Sequence, residues 1–274
     1  MKSKSAILFS NSLPLALAVA LTLSSCKKEG CMDENAYNYN WDAEKDNGSC
    51  MYNAELKVNV IPKFNGDPIS FDSVYHNIMG YRVKFSSIKF YMTYAKVGDG
   101  TNWTDAHSVS QYNYANSTEL FSADVTPGSY SQIKFNVGVD SVRNHSDPAS
   151  YPSDNPLNII TSSGMFWTWN TGYIFVIIEG FYDTDSLGTG TPPNSFTYHL
   201  GMDDYLRVNT QSLSLNLVEQ MTTTVNYELN MDQFFYNATD TLDIDANPVI
   251  HSLVNQLPIT DMLTQNFNNS LVLE

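Results

Sequence analysis

Residues 165–180, MFWTWNTGYIFVIIEG, decide the fold of this chain. The segment holds two of the four tryptophans. Side chains of an extended chain alternate between two faces, so Met165, Trp167 and Trp169 are predicted to share one face. Residues 173–178 show no alternation and are rich in aromatic and β-branched types, which predicts a strand covered on both faces. A core strand with aromatic packing is the simplest interpretation of the segment.

Alternating apolar and polar residues recur along the rest of the chain. The pattern is cleanest over residues 133–139 and 225–231. Between residues 83 and 92 its phase changes at Ser86-Ser87, which predicts a β-bulge. About eight such strands, separated by turn residues, predict an all-β fold, a β-sandwich of immunoglobulin-like or Greek-key type.

The C-terminal tail has a different pattern and is predicted to be helical. Asn247-Pro248 is expected to open a short helix carrying Val249, Leu253 and Leu257. Pro258 is expected to interrupt that helix, because proline lacks the backbone N–H, and residues 259–267 to add a further turn or two.

Composition limits the classes of partner. The chain has 274 residues and a formal net charge of -15, with only 16% charged residues. A surface this negative repels nucleic acid and favours cationic partners or metal ions. Nucleic-acid binding is therefore excluded from the predicted functions.

The N-terminal segment predicts export and lipid attachment. Lys2 and Lys4 precede an apolar run over residues 13–23 that is too short to span a bilayer. The sequence Leu-Ser-Ser-Cys ending at Cys26 resembles the bacterial lipobox. The resemblance implies a signal peptide over residues 1–25 and acylation of Cys26, which would tether the protein to a membrane by lipid chains.

Residues 26–53 are predicted to be a tether with a disulfide-stapled module. Cys31 and Cys50 are the remaining cysteines, and an oxidising compartment favours a disulfide between them. The module is similar to a short cysteine-bracketed segment of surface and secreted proteins from Bacteroidetes-type bacteria. Asn38, Asn40 and Asp42 alternate like the first ligands of a calcium loop, which leaves calcium binding open over residues 33–47, beside the interpretation as a plain spacer. An EF-hand is excluded, because Ala43 replaces its glycine and no glutamate closes the loop. The main domain is predicted over residues 54–274.

No familiar catalytic motif is present, so the chain is not predicted to be an enzyme. It lacks HExxH, CxxCH, GxSxG and a P-loop. The acids Asp140, Asp147, Glu179 and Asp203 are scattered, without spacing that pairs them as acid and base. Imidazole and thioether groups suit copper, which leaves metal binding open. His145 lies just past a strand end and His199 on the polar side of its strand, and each of the two, taken alone, is more simply explained as solvated or hydrogen-bonded.

Several spaced motifs, in order, resemble the MbnP family. They are GSYSQIKF at 128–135, GVD at 138–140, NH at 144–145, MFWTW at 165–169, GY at 172–173, EG at 179–180, FTYHLG at 196–201 and NF at 266–267. The resemblance runs from about residue 56 to the C-terminus.

The resemblance implies an exported copper-binding β-sandwich. It also implies a partner, a MauG-like di-haem enzyme that oxidises a tryptophan to kynurenine in trans. On this sequence the oxidised residue would be Trp167 or Trp169. His145 and His199 match family histidines and are the implied copper ligands, with Met165 a weaker third.

Two functional hypotheses follow for this cell-envelope protein of a Gram-negative bacterium. The first is a lipid-anchored copper-binding protein that uses an oxidised tryptophan. The second is a surface structural or interaction lipoprotein without metal, in which the tryptophan motif serves core packing. Burial of unmodified tryptophans and separation of the two histidines would favour the second.

Overall fold

The protein is described from a computed structural model, which covers residues 27–162, 164–167 and 172–274. The chain divides into two compact units, Met1–Cys50 and Met51–Glu274. In the first, strands β1 (Glu29–Gly30) and β2 (Lys45–Asp46) pair in parallel. The predicted disulfide joins Cys31 to Cys50 and is confirmed. The predicted signal peptide and Cys26 lie outside the described residues.

The second unit is built from two sheets. Its strands are β3 (Ala54–Phe64), β4 (Asp67–Pro68), β5 (Tyr75–His76), β6 (Arg82–Gly98), β7 (Trp103–Asn113), β8 (Glu119–Val125), β9 (Gly128–Val137), β10 (Phe166–Trp167), β11 (Gly172–Asp183), β12 (Asn194–Gly201), β13 (Arg207–Leu217), β14 (Thr222–Asn230), β15 (Val249–Ile250) and β16 (Leu271–Leu273). The larger sheet has the order β13-β9-β6-β11-β12-β15, with β5 and β7 paired to β6 and β10 to β11. The smaller sheet has the order β16-β14-β3-β4, with β8 paired to β3.

The two sheets enclose one aromatic-rich core. Phe64 of the smaller sheet lies 6.0 Å from Phe85 of the larger one, between ring centroids. Phe135 and Tyr227 make a similar contact at 5.4 Å. Because strand side chains alternate, the inner face of each sheet supplies apolar residues to this core. The all-β sandwich prediction is confirmed.

Strand β11 is central, as residues 173–178 predict. It lies between β6 and β12 in the sheet, and every residue from Tyr173 to Ile178 is buried. The phase change at Ser86-Ser87 is also confirmed as a bulge. Glu179 pairs with Ser87 and Gly180 with Phe85, which leaves Ser86 as the extra residue.

The prediction for the tail is wrong in its boundaries. Val249 and Ile250 form β15 rather than a helix, because they add a parallel strand beside β12. The helix α2 spans Leu257–Ser270 and has Pro258 in its first turn. Proline is tolerated there because the N–H groups of a first turn have no partner within the helix, so Pro258 begins the helix instead of interrupting it.

The outer face of β11 is covered by the irregular segment that follows β9. Tyr91 donates a hydrogen bond from its hydroxyl to the Pro156 carbonyl (2.9 Å), and Tyr173 donates one to the Leu157 carbonyl. This covering explains why β11 is buried on both faces. Within the part of the chain that the structure describes, no helix is long and apolar enough to cross a membrane.

Candidate metal and tryptophan site

A four-residue helix positions the first predicted histidine. Helix α1 spans Ser141–Asn144, and Asp140 caps it by accepting a hydrogen bond from the Arg143 backbone N–H (3.3 Å). A short polar residue in this position satisfies a backbone donor that the helix leaves open. His145 follows directly as the C-terminal cap. The Asp140 cap and the short helix thus fix the positions of Asn144 and His145 after the end of β9.

The carboxylate of Asp203 gathers three side chains around it. It accepts hydrogen bonds from Asn144 (2.7 Å) and from the Ser141 hydroxyl, and it pairs with His145 Nε2 (3.0 Å). Burial alone would raise the pKa of Asp203, but these three hydrogen bonds together lower it. The carboxylate is therefore ionised and fixes the orientation of the His145 ring.

Asn144 connects this cluster to the central strand. Its side-chain oxygen accepts a hydrogen bond from the backbone N–H of Tyr173 (2.7 Å), while its amide nitrogen donates to Asp203. The residue is almost fully buried, with 3% of its surface exposed. Asn144 therefore holds the start of β11 against the helix that carries His145.

The Asn144→Ala substitution is expected to destabilise the protein and loosen the site. It leaves the buried N–H of Tyr173 without a partner, which costs about 1–3 kcal/mol in the free energy of unfolding. Urea unfolding would measure this loss. Asn216→Ala on the exposed side of β13 is the control and should change little. Equal stabilities of the two variants would contradict the structural role of Asn144.

A pocket of about 350 Å³ opens beside this cluster. His145, Trp167, Met202, Asp203 and Asp204 line it, together with the start of β11. Met202 holds a positive φ of 83°, a backbone conformation that a non-glycine residue adopts at a cost of about 1–3 kcal/mol. The two aspartates give the pocket a negative charge, which favours a cationic ligand.

Trp167 packs directly on the backbone of Gly201. A Cβ atom placed on Gly201 would lie 2.8 Å from Trp167 Cζ3 and 2.7 Å from the Tyr173 carbonyl oxygen. Only glycine admits the indole at this distance. The tryptophan is 5% exposed, so most of its ring is enclosed while one part reaches the pocket.

His199 lies in a second cluster on the outer face of the sheet. Its Nε2 is 2.7 Å from Glu179 Oε1, and its ring stacks on that of His251 with centroids 4.9 Å apart. The hydrogen bond from His199 lowers the pKa of Glu179, which keeps that carboxylate ionised. Burial lowers the pKa of His251, so its ring is neutral at neutral pH.

The structure brings together only some of the predicted site residues. His145 and Trp167 share the pocket, whereas His199 does not line it. Met165 is fully buried in the core. Trp169 lies outside the described residues. Over residues 27–162, 164–167 and 172–274, no group of three or more His, Cys, Asp or Glu side chains is arranged to hold a metal ion. The five predicted ligands stay a prediction.

The disulfide-stapled unit gives no support to calcium binding. Its acceptor oxygens are used locally: Asp33 Oδ1 and Asn40 Oδ1 accept backbone N–H bonds two residues on, at 2.9 and 3.1 Å. Asp42 forms an ion pair with Lys28 (2.5 Å). These contacts are those of a compact segment built from turns.

Comparison with known proteins identifies the family to which the second unit is related. A family model described as MbnP matches residues 53–252. The chain belongs to the MbnP family. Among solved structures, MbnP from Methylosinus trichosporium is similar with 16% sequence identity and a TM-score of 0.47, over 72% of this chain and 83% of that one. No curated protein matches the chain in sequence.

Within this MbnP-family unit, sequence reasoning missed several site residues. His251 was assigned to a helical tail, and its proximity to His199 depends on the parallel pairing of β15 with β12. Glu179 and Asp203 were counted as scattered acids, although each holds a histidine. The motif Asn144-His145 was the available signal for Asn144, since the asparagine directly precedes a candidate ligand.

Proposed function

We propose that this chain is an exported copper-binding lipoprotein whose Trp167 is oxidised to kynurenine by a partner di-haem enzyme of the MauG type. Membership of the MbnP family supports the connection to copper. The observation that carries the proposal is the position of Trp167, which forms a wall of the acidic pocket that also contains His145. The chain itself is not expected to catalyse the oxidation.

Oxidation would give Trp167 a donor nitrogen that indole lacks. Two peroxide molecules supply two oxygen atoms and leave as two waters when the C2–C3 bond of the indole is cleaved. Hydrolysis of the resulting formamide releases formate and leaves an aniline nitrogen. That nitrogen has a lone pair available to a metal, whereas the lone pair of the indole nitrogen belongs to the aromatic system.

The histidine environments fit a copper ion. His145 and His199 each direct Nε2 to a carboxylate, of Asp203 and Glu179 respectively. This arrangement is common for metal-ligating histidines, because the carboxylate fixes the orientation of the ring while Nδ1 is left for the metal. Neutral imidazole and amine nitrogens suit copper. A third donor would come from the oxidised tryptophan.

The proposal places the protein at the cell envelope, facing the periplasm or the cell surface. Acylation of Cys26 would provide the anchor, with the stapled unit as a spacer between the lipid and the MbnP-family unit. One acyl chain gives only marginal membrane binding, so stable attachment requires more than one chain.

The decisive experiment compares protein isolated from its native host with protein from a host that lacks the partner enzyme. We expect the native peptide containing residues 165–180 to gain two oxygens and lose one carbon monoxide relative to its sequence, as measured by mass spectrometry. Native protein should bind about one copper ion per chain with nitrogen ligation, whereas the unmodified protein should bind it weakly.

The histidine variants provide the second part of this test. His145→Ala combined with His199→Ala should remove copper from the native protein. His76→Ala is a suitable control, because His76 is exposed on β5 and was not assigned to the site. Native protein that takes up no copper would contradict the proposed function.

A structural or interaction lipoprotein is the second candidate. The enclosure of Trp167 and its tight contact with Gly201 favour this alternative, because both are also properties of ordinary core packing. An unmodified tryptophan in protein from the native host, together with absence of bound copper, would support it over copper binding.

A further inference from the structure

Three aromatic side chains of the disulfide-stapled unit are exposed. Tyr37, Tyr39 and Trp41 are 49%, 41% and 81% exposed, whereas Asn38 and Asn40 between them are more enclosed. The asparagines are used within the unit: Asn38 Nδ2 donates to the Ser49 carbonyl (2.6 Å), and Asn40 Oδ1 accepts the N–H two residues on (3.1 Å). The polar residues of this segment thus stabilise the unit, while the aromatic rings project outward.

The backbone that carries these rings is fixed. The Asn40 N–H donates to the Cys31 carbonyl (2.9 Å), and Tyr39 forms a parallel bridge with the same cysteine. Cys31 is in turn joined to Cys50 by the disulfide. Tryptophan is usually a largely buried residue, so an indole held 81% exposed on a stapled frame indicates a surface that meets an apolar or amphipathic partner.

Trp41 lies close to the predicted point of lipid attachment. Its chain neighbour Asp42 pairs with Lys28, with Oδ2 2.5 Å from Nζ. The Lys28 carbonyl also accepts the N–H of Glu44 (2.7 Å). Lys28 is two residues from Cys26, and two residues of extended chain span at most about 7 Å. The segment that carries Trp41 is therefore held beside the residue that would bear the acyl chains.

The position of the unit identifies the bilayer surface as the partner. Acyl chains would keep Cys26 at the membrane, so the unit that begins directly after it would lie against the headgroup layer, which is about 5–8 Å thick. Tryptophan and tyrosine are enriched in this layer, because each combines an apolar ring with a polar group. Residues 27–50 contain three lysines against six acids, so the attraction would come from the rings rather than from anionic headgroups.

We propose that Trp41, with Tyr37 and Tyr39, inserts into the headgroup layer of the membrane that holds the acyl chains. The stapled unit would then be a second membrane attachment as well as a spacer. The inference rests on the lipid anchor of the proposed function and adds a protein surface to it. Lipid chains alone leave the unit free to turn about its tether, whereas an inserted indole fixes its depth and orientation.

The first test locates the indole in the membrane. Full-length mature lipoprotein is reconstituted in vesicles of phosphatidylethanolamine and phosphatidylglycerol, with bromine on the acyl chains near the headgroups. Because bromine quenches only tryptophans in contact with the lipid, wild-type protein should lose part of its fluorescence and Trp41→Phe should lose almost none. Trp103→Phe is the matched control, since Trp103 lies on β7 of the second unit, and it should keep the wild-type quenching.

The second test measures the strength of the attachment. Trp41→Ala should speed transfer of the lipoprotein between vesicles about ten-fold, because the variant cannot bury the ring. The exposed position of Trp41 allows the unit to stay folded, and the intact mass reports whether the Cys31–Cys50 disulfide has formed. Leu187→Ala, at an 87% exposed position of the second unit, is the control and should not change the rate. Added salt should not speed the transfer of the wild type.

The outcomes separate this inference from the proposed function. If mass spectrometry finds acyl chains on Cys26 but Trp41→Phe is quenched like the wild type, the membrane contact is wrong and the proposed lipoprotein stands. Equal transfer rates for wild type and Trp41→Ala would overturn the role as a second attachment. Native protein without an acyl chain on Cys26 would overturn the lipid anchor and this inference together. Lost quenching and faster transfer, with copper binding unchanged, support the inference.

Discussion

Trp167→Phe should abolish both the mass gain of the 165–180 peptide and tight copper binding in protein isolated from the native host. Phenylalanine cannot be cleaved to an aniline, so the third nitrogen donor is never formed. The substitution keeps an aromatic ring against Gly201, where Trp167 Cζ3 lies 2.8 Å from the position of a Cβ atom. We expect a modest loss of stability, about 1–2 kcal/mol, because the smaller ring leaves a gap. Mass spectrometry and copper titration measure the two functional losses.

Two other tryptophans provide controls for this experiment. Trp103 lies on β7 under the ammonium group of Lys134, 3.7 Å from the ring centroid, and Trp103→Phe should preserve the mass gain and copper binding. Trp169→Phe should do the same, since we assign the oxidation to Trp167. If the mass gain survived in Trp167→Phe and disappeared in Trp169→Phe, the oxidised residue would be Trp169.

The sequence predicts a strand with one buried and one exposed face, because its apolar and polar residues alternate. It also predicts a strand with two buried faces, because such a strand is a short continuous apolar run. Residues 225–231 alternate cleanly, and their apolar members are buried in β14 and just beyond it. The run at 173–178 lacks alternation because the irregular segment after β9 covers its outer face, as the sandwich covers the inner one. Even the bulge at Ser86 is visible as a change of phase. Each of these features is local in sequence.

The tail could not be predicted in the same way, because its structure depends on distant partners. Val249 and Ile250 become a strand only through β12, with which they pair in parallel. A two-residue strand has no periodicity of its own, and the preceding Asn-Pro is equally a helix start signal. Sequence alone therefore does not place His251 beside His199, although the fold stacks the two rings.

Distant partners also explain why only part of the candidate site can be predicted from the sequence. The family resemblance indicates His145, His199 and either Trp167 or Trp169, and the pocket contains His145 and Trp167. The carboxylate partners, Asp203 and Glu179, reach their histidines through tertiary contacts without sequence spacing that identifies a pair. A polar network of this kind is set by the packing of whole elements, so the chemistry of single residues does not reveal it.

Gly138→Ala should cause a large loss of stability, about 3 kcal/mol in the free energy of unfolding. Gly138 joins β9 to the segment that leads to α1, with φ of 113°. A Cβ atom there would lie 2.5 Å from Phe175 Cδ2, on the buried central strand. Backbone strain and overpacking each contribute about 1–3 kcal/mol, while the lower entropy of the unfolded chain offsets about 0.4–1 kcal/mol. For a unit of this size the melting temperature should fall on the order of 10 °C.

Gly66→Ala separates the two causes of this loss. Gly66 also has a positive φ, of 88°, but nothing lies within 4 Å of the added Cβ, so only the backbone contribution of about 1 kcal/mol should be lost. If both variants lost the same stability, the contact with Phe175 would be immaterial. Because Phe175 and Gly138 connect the core to the helix that carries His145, relief of their clash should also displace that histidine. Gly138→Ala is therefore expected to weaken copper binding at temperatures where it is still folded, whereas Gly66→Ala should not.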